Sequence, residues 1–91
     1  MMHRTDNNQA EIVRALKQVG ATITDTSMVG GGFPDIVVGI CKKTFLIEIK
    51  NKEARGKLRV SQKIFQEFWK GEEVHVVETV EEALRVIGVE S

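Results

Sequence analysis

Hydrophobic and polar positions along this chain change period several times, and each change marks an element. Ile12, Ala15, Leu16 and Val19 recur at helical spacing, which predicts a helix from about Asn7 to Val19. Asp6 is placed to cap it, Gln9 stands where a capping box wants an amide, and Gly20 provides a left-handed stop. Ala21 to Asp25 alternates apolar residues with Thr and predicts a short strand. A loop with three consecutive glycines follows, Met28 to Pro34. Asp35 to Ile40 is apolar enough for a buried strand, and Cys41-Lys42-Lys43 reads as a turn without a strong hairpin signal. Thr44 to Lys50 alternates cleanly, with Phe45, Ile47 and Ile49 on one face and Leu46, Glu48 and Lys50 on the other.

Past Lys50 the pattern lapses into a basic loop, Asn51 to Val60. Ser61 then caps a predicted helix from Gln62 to Lys70, with Val60 and Phe65 in hydrophobic-staple positions and Gly71 as its end. Phe65, Phe68 and Trp69 lie at helical spacing, as core or dimer contacts would. Glu73 to Val77 predicts a fourth strand. Thr79 and Glu82 form a capping box for a last helix, Val80 to Ile87, closed by Gly88. The expected architecture is one α/β domain over residues 1–91, in the order α-β-β-β-α-β-α, with a mixed central sheet flanked by helices.

Composition narrows the function classes. With 91 residues the chain suits one small domain, which buries only a modest share of its surface and would gain from a partner subunit. No apolar run approaches the ~20 residues of a membrane span, and the polar start lacks a signal-peptide core. The single cysteine, Cys41, excludes an internal disulfide framework and fits a reducing cytoplasm. Net charge is zero but unevenly spread: Lys42 to Lys63 holds eight basic residues against Glu48 and Glu53, whereas six glutamates after Gly71 oppose Arg85 alone. Such a neutral average can hide a basic face suited to phosphate. The three glycines are not a P-loop, since no Gly-Lys-Ser/Thr follows them, but they would let backbone approach a phosphate.

The candidate chemistry lies on the second and third strands. If these pair about Cys41 and Lys42, residue numbers across the ladder sum to 83 and Asp35 faces Glu48. Lys50 shares Glu48's face, because strand side chains repeat every second residue. Two adjacent carboxylates repel, and a divalent cation relieves the penalty. Mg²⁺ or Mn²⁺ accepts such oxygen ligands, and the carbonyl of Ile49 is an available third. Lys50 could orient or help deprotonate a water, or offset charge in the transition state.

Pro34-Asp35, twelve intervening residues, then Glu48-Ile49-Lys50 resembles the PD-(D/E)xK nuclease superfamily. More narrowly, Gly32-Phe33-Pro34-Asp35, the basic stretch to Leu58, Ser61-Gln62 and the lead Gly71-Glu72-Glu73-Val74 are similar to the VRR-NUC family. The Val-Arg-Arg that names that family is not present after Val74, where the chain reads His75-Val76-Val77-Glu78. The resemblance implies a homodimeric Mg²⁺- or Mn²⁺-dependent endonuclease of branched DNA, four-way junctions included. Small members of this kind are often phage-encoded, and the host-cell cytoplasm would then be the setting. It further implies Asp35 and Glu48 as metal ligands, Lys50 as the catalytic lysine, Gln62 as the family's glutamine near the site, and Glu11 as an acidic residue that can assist a metal. Beside such a site Lys52, Arg55, Lys57 and Arg59 become phosphate contacts. The alternatives are a nicking or restriction-type enzyme of the same fold, a non-catalytic DNA-binding module, and a structural or interaction protein.

Overall fold

A computed structural model of the chain describes residues 7–50 and 58–89. Asp6, Lys52, Arg55 and Lys57, expected above as a cap and as phosphate contacts, lie outside the described residues. The elements are α1 (Asn7–Gln18), β1 (Thr22–Asp25), β2 (Ile36–Ile40), β3 (Lys43–Ile49), α2 (Val60–Phe68), β4 (Val74–Val77) and α3 (Val80–Val86). The order agrees with the one read from periodicity, and most bounds agree to within a residue. No described helix is long and apolar enough to cross a membrane.

Among the described residues the sheet has four strands, in the order β1-β2-β3-β4. β1, β2 and β3 run antiparallel in sequence, and β4 lies parallel to β3. The sheet is therefore mixed, and α2 occupies the crossover that a parallel pair requires. Ile12 and Leu16 of α1 pack with Ile36, Val38, Ile47, Val77 and Ala83 into the core. Ile12, Leu16, Ile36, Val38 and Ile47 are wholly inaccessible to solvent. Side chains of this size each contribute roughly 1.5–3 kcal/mol on burial. Because Ile47 and Ile49 of β3 point to that core, Glu48 between them points to the sheet's other face, which the first turn of α2 meets.

The β2–β3 hairpin has the expected register. Ile40 pairs with Lys43 and Ile36 with Ile47, which leaves Asp35 next in line opposite Glu48. The two-residue loop holds Cys41 at φ 53° and Lys42 at φ 65°. Two left-handed residues in a two-residue hairpin define a type I′ turn, whose twist matches the strands but suits Asn-Gly far better than Cys-Lys. The double variant Cys41→Asn/Lys42→Gly is therefore expected to stabilise the protein by about 1 kcal/mol. A urea midpoint that rises at constant m-value checks it, and an unchanged midpoint would remove the turn-strain argument.

The start of α2 differs from the expectation. Arg59, not Ser61, occupies the N-cap. The Arg59 backbone N–H donates to Gln62 Oε1 at 2.8 Å, so Gln62 takes the third helical position and Ser61 falls inside the helix. The proposed staple fails with this shift: Val60 becomes the first helical residue and is 70% exposed. The helix ends at Phe68 rather than Lys70, and Trp69 closes it through its N–H to Phe65 O at 2.9 Å. At α3, Thr79 Oγ1 accepts from the Glu82 N–H at 3.1 Å as expected, but the Glu82 carboxylate takes the N–H of Glu78 rather than that of Thr79.

Candidate active site

Asp35 sits between a glycine loop and a strand, and its backbone is held from both sides. Thr26 N–H donates to Asp35 O at 2.8 Å, and Thr26 Oγ1 donates to Pro34 O at 2.8 Å. These bonds carry the β1–β2 pairing a residue past the strand ends and fix the entry of Pro34, which is buried. The loop is also docked on α2. Phe33 meets Phe65 edge to face, ring centres 5.5 Å apart, and Gly32 at φ 82° lies so close to Ser61 that a Cβ there would stand 2.1 Å from its carbonyl oxygen. The close backbone approach that glycine permits is thus made to α2.

The last residues of β3 reach beyond the registered ladder with β2. In place of a backbone partner, the Ile49 N–H donates to Asp35 Oδ2 at 2.8 Å. One strand residue's N–H and C=O leave on the same side, so the Ile49 carbonyl is directed toward the Asp35 side as well. On the opposite side the Lys50 N–H donates to Val77 O at 2.9 Å, and the Lys50 carbonyl accepts from Asn8 Nδ2 at 2.7 Å.

Glu48 is only 3% exposed, and Gln62 8%. The Gln62 side-chain amide donates to Glu48 Oε2. Its carbonyl oxygen is already taken by the Arg59 N–H, so one side chain both caps α2 and grips the carboxylate. The other oxygen, Glu48 Oε1, is buried, and no described group donates a hydrogen bond to it. Buried carboxylate oxygens are seldom left so, because each unsatisfied group costs roughly 1–3 kcal/mol, and more when charged.

The electrostatics follow from this packing. Burial pushes the Glu48 carboxyl up to about 8, with the adjacent Asp35 charge and their mutual hydrogen bond acting in the same direction and the Arg59 guanidinium opposing them. Asp35 is also raised, chiefly by burial, against the lowering effects of the Ile49 N–H, the hydrogen bond with Glu48 and Arg59. Together the two carboxyls can be satisfied in two ways. One proton can sit between them, donated from Glu48 to Asp35, or a cation can take its place. Arg59, which the charge run suggested only as a phosphate contact, acts electrostatically on both acids. Its place at the N-cap of α2 explains why.

The structure thus gathers Asp35, Glu48, the Ile49 backbone, Gln62 and Arg59, with Lys50 next along β3. Glu11 is exposed on α1, and among the described residues no group of three or more acidic, His or Cys side chains assembles that could hold a metal. A cation at this point would therefore rest on two carboxylates and backbone oxygen rather than on a closed protein cage. That donor set fits Mg²⁺ or Mn²⁺, which retain several water or substrate ligands. Asn8 was not legible as part of the site, since nothing local marks a contact that spans 42 residues of sequence. No protein-family model, curated protein or solved structure matches this chain.

Proposed function

We propose that this chain is a divalent-metal-dependent DNA endonuclease, acting on branched DNA such as four-way junctions. The carrying observation is the buried Glu48 Oε1, to which no described group donates and whose carboxyl interacts with that of Asp35. Uncompensated negative charge of this kind suits a cation held by Asp35, Glu48 and the Ile49 carbonyl. A bound Mg²⁺ or Mn²⁺ supplies an activated water and stabilises charge on the attacked phosphate.

The protein's own groups divide the remaining work. Gln62 fixes the rotamer of Glu48 by donating to Oε2, which leaves Oε1 for the ion. The Ile49 N–H holds one oxygen of Asp35 and leaves the other. Lys50 orients the attacking water or balances charge on the phosphate. Arg59 sits where it attracts the substrate's phosphate toward the carboxylates. Recognition is expected to rest on backbone phosphates and DNA shape rather than on base edges.

The resemblance to small VRR-NUC proteins supports a homodimer, and so does one feature of α2. Val60, Ile64 and Phe68 recur every four residues and are 70%, 52% and 68% exposed. An apolar stripe of this kind marks a contact surface more often than a solvated face, and here it carries the Phe68 that periodicity had offered as core or dimer contact.

The test is a cleavage panel of four-way junction, flap and linear duplex with Mg²⁺ and with Mn²⁺. Wild type is expected to cut, Asp35→Ala to be slower by about a thousandfold or more, and Lys50→Ala by about a hundredfold. Equal rates for Asp35→Ala and wild type would end the catalytic assignment. Binding to DNA without cleavage in either metal would leave a DNA-binding module instead.

A further inference from the structure

We propose that Asn8 is a positioning residue for the candidate active site: its side-chain amide fixes the backbone of Lys50 and so sets the geometry at the end of β3. The kinetic part of this inference rests on the nuclease reading; the tether itself does not.

The need for a tether follows from the topology. The β2–β3 ladder ends at Ile36 and Ile47. Beyond it, among the described residues, no β2 backbone group pairs with Glu48 or Ile49, and the Ile49 N–H goes instead to the Asp35 carboxylate. On the other side the ladder with β4 ends at Ile49 and Val77, extended by one bond from the Lys50 N–H to Val77 O. The strand therefore finishes at the residues on which the chemistry depends, where pairing is thinnest and fraying is expected.

Asn8 closes this end. Its Nδ2 donates to the Lys50 carbonyl at 2.7 Å, so both backbone groups of Lys50 are engaged, one by β4 and one by α1. Asn8 lies in the first turn of α1, whose Ile12 and Leu16 are anchored in the core. The amide is thus carried on a rigid support. A side chain held this way transmits the position of α1 to Lys50. Misplacing a reacting group by about 1 Å can cost on the order of a hundredfold in rate.

The experiment compares wild type with Asn8→Ala and Asn8→Asp. Aspartate has nearly the same shape but lacks the donor, and an acid in the first turn favours the helix. A purely structural role predicts that Asn8→Asp keeps both melting temperature and activity. Positioning predicts that the Lys50 amide exchanges with solvent at least about tenfold faster in both variants, while the Ile47 amide stays as in wild type. It also predicts that kcat for junction cleavage falls by about ten- to a hundredfold, with KM changed less than about threefold. Unchanged Lys50 exchange in both variants would overturn the proposal, as would faster exchange with kcat intact. If wild type itself cuts none of the panel substrates, the nuclease reading falls, and the exchange rates still decide whether Asn8 holds Lys50.

Discussion

Glu48→Gln is expected to abolish metal-dependent cleavage, by about a thousandfold or more, while making the metal-free protein more stable at pH 8. Both effects come from the same buried carboxyl. In the folded chain Glu48 is raised to about 8 from its ordinary 4.5. Between those values the folded state holds a proton that the unfolded state has released. Stability therefore falls as pH rises through that window, and it levels off once the folded group has also ionised. Asp35, raised for the same reason, adds to the slope in the same direction.

The loss between pH 5 and pH 8.5 is expected to be on the order of 3–4 kcal/mol, which for a domain of this size moves Tm by about 10 °C or more. A glutamine at position 48 has no proton to lose. Its amide can donate to Asp35, and its carbonyl can accept from Gln62, so the Glu48 part of the slope disappears. Added Mg²⁺ or Mn²⁺ is expected to restore stability to wild type at pH 8, because binding to the folded state alone stabilises it, and to leave the variant unmoved. Thermal melts at pH 5 and pH 8.5, with and without metal, provide the check. A wild-type curve parallel to that of Glu48→Gln across this range would mean that the carboxyl is ionised without help, and the reason for a cation there would be gone.

Much of the scaffold behind this expectation was legible from period alone. The alternation in β3 and the apolar run in β2 fix which residues face the core, and a one-residue slip would have put Glu48 among isoleucines. That constraint, more than the turn, set the register: Cys41-Lys42 is a poor I′ sequence, yet strands paired this way leave a two-residue loop no other hand of twist. The start of α2 was misread because Ser61 is the better capping residue in isolation. Gln62 outweighs it. As the third helical residue it closes the Arg59 N–H, and from there its amide reaches Glu48. A glutamine three residues after a candidate cap is itself a capping-box signal, so this start could have been found.

Other parts were out of reach of local patterns. Phe65, Phe68 and Trp69 all fit a helical stripe, but only the packing of Phe33 on Phe65 and of Trp69 along Phe65 decides which side of α2 is covered. Phe68 falls on the uncovered side with Val60 and Ile64. Arg59 was legible as a positive charge. Its effect on both acids depends on where the cap lies, a tertiary fact.

Gly32→Ala is expected to destabilise the protein by about 3–5 kcal/mol, a large part of the roughly 5–14 kcal/mol available to a chain of this length. Two costs combine at this residue. Its φ of 82° is a conformation that side-chain-bearing residues seldom adopt, and its Cβ would stand 2.1 Å from Ser61 O, 2.6 Å from Ser61 C and 3.0 Å from Gln62 N. All three are backbone atoms, so no rotamer change relieves the clash. Either the loop or the first turn of α2 must move. Gly31 supplies the control: its φ is 66°, but nothing lies within 4 Å of a Cβ there. Gly31→Ala carries the backbone strain without the clash, and about 1–2 kcal/mol is expected. The difference between the two variants in urea unfolding isolates the loop–helix contact.

The same contact bears on the chemistry. Gly32 lies three residues before Asp35, and Ser61 adjoins Gln62, which grips Glu48. Forcing the loop and α2 apart separates the two carboxyls whose proximity the proposed ion requires. Gly32→Ala is therefore expected to lose at least about a hundredfold in cleavage rate at temperatures where it remains folded, with Gly31→Ala close to wild type. Equal stability and equal rates for the two alanine variants would show that α2 does not clamp the loop, and that Asp35 and Glu48 are brought together by the hairpin alone.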